Sequence, residues 1–288
     1  MAWIEEADGV FRGGGVKGLG IAGALLGFAA DPKYPVKRWV NVAGASAGAI
    51  MASYLAVKGE GAVEGIGPVL KDMPFAKFED YPPGGRILGG VPNLFRKHGM
   101  ARGEVFRQWL DDELDHKTFA DVKSADGAHS RLKVVAVDVT NSQLLLLPDD
   151  LPRYRQPGEK TPIDPDSFPI SSAVRMSMSI PYFFEPILLI RDQVRCTHRN
   201  DSDLIEGSLV DRLSFDAGNE GLSSPALCEE IADPQPSLII DGGTLSNFPV
   251  WVFDVDPDDA AGEGPKRLTF GFTLTGGRAG HPILQRLP

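Results

Sequence analysis

Three short motifs carry residue types that could perform acyl-transfer chemistry. Gly44-Ala45-Ser46-Ala47-Gly48 fits the G-x-S-x-G elbow, in which small residues on both sides allow a strained strand-to-helix turn to hold a serine hydroxyl above a sheet. Alone the pattern is only moderately specific, because a Gly-Ser-Gly run between a strand and a helix can also serve plain close packing. Gly13-Gly14-Gly15-Val16-Lys17-Gly18 opens a helix, so its N–H groups lack intrahelical carbonyl partners and favour an anion. In acyl transfer that anion is the oxygen of the tetrahedral intermediate, and one missing donor costs about 2.7–4 kcal/mol of barrier. Asp241-Gly242-Gly243 ends the apolar run Ser237-Leu238-Ile239-Ile240, which places a carboxylate at the C-terminal edge of a sheet, where parallel α/β sheets build their sites.

Serine is a weak nucleophile until a base takes its proton. His98, His116, His129, His198 and His281 all fall in segments that read as loop, insertion or surface. Asp241 follows a buried-looking strand, and it can act as the base if burial raises its pKa from the usual 3.9 or so. Its other role would be to cap the turn. The first loop also satisfies G-x-G-x-x-G, but a dinucleotide site needs an acid roughly 20 residues further on, at the tip of the second strand. Here that strand runs into the elbow, and Asp31 comes too early. No Gly-Lys-Ser/Thr follows, so a phosphate-binding P-loop is excluded.

Elements must position these motifs. A short apolar stretch at 9–12 meets the glycine loop, after which Leu19, Ala22, Leu25, Leu26 and Ala29 recur at helical spacing until Asp31-Pro32. Residues 39–42 predict a second strand and Ile50, Met51, Tyr54 and Leu55 the helix beyond the elbow. Two strand-to-helix units in succession favour a parallel sheet covered by helices. Residues 74–99 are rich in glycine, proline and aromatics and read as a mobile lid loop that touches lipid. Phe106, Trp109, Leu110 and Leu114 mark a helix, 132–137 a doubly buried strand, 149–167 a surface loop, 170–178 a helix, 182–190 an extended segment and 268–274 a last strand. Residues 192–236 read as a polar, partly disordered insertion.

A chain of 288 residues with 42% hydrophobic and 24% charged residues has the profile of a globular protein, and one domain over 1–288 is expected. The formal charge of −10 argues against a nucleic-acid partner and against electrostatic docking on anionic lipid, leaving apolar surface as the means of any membrane contact. Residues 40–57 are uncharged and reach the lower length limit of a membrane span, but Asn41, Ser46, Ser53 and several glycines favour a strand, a turn and a buried helix. Cys196 and Cys228 lack metal-site spacing and are expected as free thiols. The acidic start has no secretory pattern, which makes the cytoplasm the default location, with peripheral contact at membranes.

The three motifs in this order resemble the patatin-like phospholipases. The glycine loop matches that family's oxyanion-hole motif, Gly44 to Gly48 its nucleophile motif, and Asp241-Gly242-Gly243 the motif that carries the aspartate of its Ser-Asp dyad. Arg175 to Pro181 is similar to its alanine- and serine-rich segment before a strand, and Ser246-Asn247-Phe248-Pro249 to the stretch after its Asp-Gly-Gly. The resemblance runs over 10–274. It implies a three-layer α/β/α sandwich with a mostly parallel central sheet, and hydrolysis of fatty-acyl esters in phospholipids or related lipids at a membrane or micelle surface. It also implies Ser46 as nucleophile and Asp241 as base, with no metal or cofactor. An α/β-hydrolase with a Ser-Asp-His triad and a non-enzymatic lipid or nucleotide binder are the alternatives. In the triad enzyme the elbow normally follows several strands and the histidine comes last.

Overall fold

A computed structural model of the chain describes residues 6–31, 36–191, 193–197, 204–208, 227–230, 236–253 and 267–274. Strand β1 (Glu6–Phe11) leads through the glycine loop into helix α1 (Gly18–Ala30), and β2 (Arg38–Ala45) leads through the elbow into α2 (Ala47–Lys58). Both units lie where apolar periodicity places them. The uncharged stretch at 40–57 is therefore a strand, a turn and a helix, and no helix among the described residues is long and apolar enough to cross a membrane. Helix α2 is buried from Ala47 to Ala56. Its small residues let it lie against β1, β2 and the strand that follows while α1 and α3 (Ala62–Lys71) pack over it.

The stretch 74–99, expected as one mobile loop, instead holds a 3-10 turn (Phe75–Lys77), a π-turn (Arg86–Gly90), helix α4 (Val91–Lys97) and the start of β3 (Gly99–Ala101). Glycine permits this locally: a Cβ on Gly89 would fall on the Pro82 carbonyl, so chain meets chain there at backbone distance. Phe78 is buried, with its ring 5.2 Å from Phe106 and 5.4 Å from Trp109 of α5 (Glu104–Glu113).

Strands β4 (Leu132–Asp138), β5 (Gln143–Leu147) and β6 (Tyr154–Arg155) come next, then α6 (Ile170–Ser177), β7 (Tyr182–Phe184) and β8 (Ile187–Arg191). The polar stretch 149–167 is not wholly surface, because Leu151 and Tyr154 are fully buried and the Tyr154 hydroxyl donates to the Asp138 carboxylate at 2.8 Å. Most of 192–236 lies outside the described residues. The parts described form β9 (Gln193–Thr197), β10 (Leu204–Ser208) and β11 (Leu227–Glu230), an antiparallel sheet whose backbone register sets Cys196 opposite Cys228. Beyond it run β12 (Pro236–Asp241) and β13 (Leu268–Phe272).

The main sheet has the order β13-β1-β2-β4-β12-β8-β6, with β5 also on β4. Strands β13, β1, β2 and β4 are mutually parallel, whereas β12, β8, β6 and β5 join through antiparallel pairings. Five of the eight strands thus point one way, and the fold is an α/β sandwich on a mixed, mostly parallel sheet.

The register around β4 decides where the site forms. Along one edge of β4, β5 pairs with Val134 to Asp138. Residues 132–135 pair with β2 and residues 136–138 with β12. Since residues 134–138 already have β5 on one side, β2 and β12 share the other side, approaching from opposite directions. Their C-terminal ends therefore meet at Val135 and Ala136. The expectation that Asp241 ends a strand parallel to its neighbour is corrected here. Asp241 arrives on an antiparallel strand that runs head-on toward the elbow.

Candidate active site

Ser46 stands at the point where β2 breaks off into α2, with φ 52° and ψ −127°. A non-glycine residue held there stores on the order of 1–3 kcal/mol of backbone strain, which only a tightly packed frame can enforce. The frame is visible at the two glycines of the elbow. A Cβ on Gly44 would overlap the Gly48 carbonyl, and one on Gly48 would overlap the Phe11 carbonyl of β1. Gly242 is equally closed in, against the Val135 carbonyl.

The head-on meeting of β2 and β12 brings Ser46 and Asp241 together across 195 residues of sequence. The Ser46 hydroxyl donates to Asp241 Oδ2 at 2.8 Å, and both residues are buried. Asp241 Oδ1 accepts the Gly243 N–H at 2.6 Å, so the carboxylate also caps its own turn and its plane is fixed. Burial pushes the Asp241 carboxyl above its ordinary 3.8, and the hydrogen bonds from Ser46 and Gly243 pull against that rise. The raised pKa makes the carboxylate a stronger proton acceptor than an exposed aspartate.

The glycine loop lies against the same point, with a Cβ built on Gly13 only 3.1 Å from the Ser46 Cβ. Of its backbone donors, Gly13 N–H is taken by the Asn247 carbonyl at 2.8 Å and Lys17 N–H by the Gly14 carbonyl at 3.0 Å. Gly18 N–H is taken by the Gly15 carbonyl. The N–H groups of Gly14 and Gly15 have no acceptor among the described residues. Gly15 holds φ 53°, a backbone shape natural to glycine. Within the six-residue motif the N–H groups of Gly13, Lys17 and Gly18 are thus bonded inside the fold, whereas those of Gly14 and Gly15 have no such partner among the described residues.

Ser177 is a partner that sequence reasoning did not single out. Its hydroxyl donates to the Val135 carbonyl at 2.6 Å and accepts the Ser46 N–H at 2.8 Å. It thereby bridges the gap in the edge of β4 that lies between β2 and β12. Neighbouring Met178 brings its sulfur to 3.5 Å from Ser46 Oγ. Arg175, on the preceding turn of α6, holds the segment in place. Its guanidinium donates to the carbonyls of Arg102, Gly103 and Glu185 and to Ser179 Oγ, and burial pushes its pKa down to about 10. The Ser179 carbonyl accepts the Asp241 N–H at 3.0 Å. The available signal was the cluster of serines around a buried arginine in 171–179, but partners this distant in sequence are not readable from it.

An apolar cavity of about 320 Å³ opens beside Ser46. Gly15, Ala47, Ile50, Leu70, Phe78 and Phe183 line it, and Glu79 is the one charged residue in the lining among those described. The described histidines, His98, His116 and His129, are exposed, and none hydrogen-bonds to Ser46 or Asp241. His198 and His281 lie outside the described residues.

The cavity adjoins the buried Ser46–Asp241 pair through Ala47 and Met178, and Gly15 of the glycine loop is part of its lining. The chain belongs to the patatin-like phospholipase family, which its residues 9–254 match. Membership implies lipid acyl hydrolase activity. Among relatives, the chain is 33% identical over 279 residues to the uncharacterized protein YqhO of Bacillus subtilis (strain 168), an alignment covering 93% of this chain and 70% of that one. Among solved structures it is similar to VipD from Legionella pneumophila, with 16% identity and a TM-score of 0.43. That match covers 88% of this chain and 48% of the other.

Proposed function

We propose that the protein cleaves fatty-acyl ester bonds of phospholipids or related lipids. In this reading Ser46 is the nucleophile and Asp241 the general base, and the N–H groups of Gly14 and Gly15 receive the oxyanion. The observation that carries the reading is the buried 2.8 Å hydrogen bond from Ser46 Oγ to Asp241 Oδ2 beside an apolar cavity. The acyl chain enters the cavity, its ester carbon comes to rest against Ser46 Oγ, and its carbonyl oxygen faces the glycine loop. Asp241 takes the proton as the Ser46 oxygen attacks, and the tetrahedral oxyanion gains the two N–H donors. The intermediate then collapses to an acyl-serine and an alcohol, to which the Asp241 proton passes. Water, activated by the same carboxylate, releases the fatty acid. The capping of the Asp241 turn and the packing of Ser177 and Arg175 support the reading by fixing both reacting groups before substrate arrives.

Products from a mixed panel of diacyl, lysophospholipid and neutral glycerolipid substrates, identified by mass spectrometry, test it. Free fatty acid released from at least one class agrees with the reading, and release from none contradicts it. The glycine loop gives a further expectation. Nothing lies within 4 Å of a Cβ at Gly15, yet its φ of 53° disfavours a branched side chain. Gly15→Val should therefore turn the loop peptides and lower turnover of a soluble short-chain ester by about 100-fold. Thermal unfolding of the variant should fall by only a few degrees, as strain of about 1–3 kcal/mol implies, and unchanged turnover would remove the loop from the oxyanion role.

A further inference from the structure

Helix α4 and the π-turn before it are built inside out. An ordinary surface helix buries its apolar side chains and shows polar ones to water. Here the residue that faces inward is Asn93, 9% exposed, whose amide donates to the Gly99 carbonyl at 2.7 Å and to the Glu185 carboxylate at 2.8 Å. Gly89 and Gly90 complete the inner face at backbone distance. The large apolar side chains point the other way: Ile87 is 76% exposed, Leu88 77% and Phe95 80%, with Val91 between them. Holding the helix by an asparagine and two glycines leaves Ile87, Leu88, Val91 and Phe95 outside, with only Leu94 half-buried.

Charge follows the same face. From Tyr81 to Gly103 the sequence has Arg86, Arg96, Lys97 and Arg102 and no aspartate or glutamate, in a chain of net charge −10. All four cationic residues are exposed, and Lys97 also lies 3.5 Å from the Glu185 carboxylate, leaving Arg86, Arg96 and Arg102 without a carboxylate in their own stretch. The whole-chain charge, which argued against anionic lipid, therefore hides a local reversal of sign. The face also adjoins the cavity. Asn93 binds the first residue of β3, which pairs with β7 through Gly99 and Tyr182, and Phe183 and Phe184 of β7 line the cavity wall. Tyr182, 72% exposed at φ 69°, extends the apolar surface with a ring suited to the lipid headgroup zone.

We infer that Arg86 to Lys97 is an interfacial docking element that lies in the surface of an anionic lipid aggregate, Ile87, Leu88 and Phe95 entering the acyl boundary and Arg86, Arg96 and Lys97 meeting the headgroup phosphates. The inference rests on the acyl-hydrolase reading for its purpose, since docking here sets the cavity beside the lipid. It does not rest on that reading for its test.

The test is co-sedimentation of the protein carrying Ser46→Ala, so that no lipid is consumed, with phosphatidylcholine vesicles made with and without phosphatidylglycerol. Adding Ile87→Ser, Leu88→Ser and Phe95→Ser should weaken binding to both vesicles at least about 30-fold. Adding Arg86→Gln, Arg96→Gln and Lys97→Gln should leave binding to neutral vesicles unchanged and cost roughly 100-fold on anionic ones, near fivefold per charge. In the background with Ser46 intact, neither set should change soluble-ester turnover by more than about twofold, which also shows that the variants fold. Vesicle binding indifferent to the serine set overturns the inference. So does a sizing column in which the parent is a dimer, the serine set is a monomer and no vesicle is bound, because the face would then join two copies of the chain. Failure of the hydrolase reading would show in ester turnover, leaving the sedimentation result intact.

Discussion

Ser46→Ala should lower hydrolysis of a soluble short-chain ester by about 10⁴-fold or more, as removal of a catalytic serine does elsewhere, while the protein stays folded. The loss is chemical, because the substitution deletes the atom that attacks the ester carbon. The structural cost is small. The hydroxyl makes one strong hydrogen bond, to Asp241 Oδ2, and the backbone N–H that Ser177 receives is untouched. Alanine also tolerates φ 52° no worse than serine does, so the strained elbow is retained. Steady-state turnover with thermal unfolding on the same preparation checks this. Activity above a trace in the folded variant would assign the nucleophile elsewhere.

Asp241→Asn should cost about 10³- to 10⁴-fold on the same ester, and its physical basis makes a second claim about pH. Burial raises the Asp241 pKa above 3.8 in the native protein. In the native enzyme kcat/KM should therefore climb with pH as the carboxyl ionises, along a limb lying above the range of an exposed aspartate, and then level off. Stability moves oppositely. A folded pKa above the unfolded one means that the native state holds the proton more tightly. That contribution is complete below the unfolded pKa and is lost as pH rises through the folded value. At neutral pH the ionised, buried carboxylate is a burden on the fold, so the amide should unfold at the same temperature or higher while turnover collapses. Replacing any one of the five histidines should leave most activity. A folded but inactive histidine variant, combined with an active Asp241→Asn, would establish a triad and refute the dyad.

The sequence told most where chemistry and local geometry coincide. The strand, loop and helix at β1/α1 and β2/α2 were legible because apolar spacing sets the elements and glycine marks the turns, and the same glycines close the elbow in space. The direction of β12 was not legible. Ser237 to Ile240 is apolar whether the strand runs with or against its neighbour, and only the pairing with β4 decides. That pairing explains why a serine and an aspartate at the ends of opposed strands come within hydrogen-bond reach. Residues 74–99 misled for a different reason. Glycine and proline normally signal loop, but Gly89 and Gly90 serve close backbone packing inside a helical segment. Leu151 and Tyr154 were hidden because single apolar residues in a polar stretch carry no periodicity.

The central claim is that Ser46 is a nucleophile activated by Asp241, and covalent capture tests it most directly. A fluorophosphonate probe incubated with the native protein, followed by proteolysis and peptide mass spectrometry, should place one adduct on Ser46. Labelling should be absent in Ser46→Ala and slowed at least about 100-fold in Asp241→Asn. No adduct under conditions that label a known serine hydrolase, an adduct on another residue, or undiminished labelling of Asp241→Asn would contradict the account.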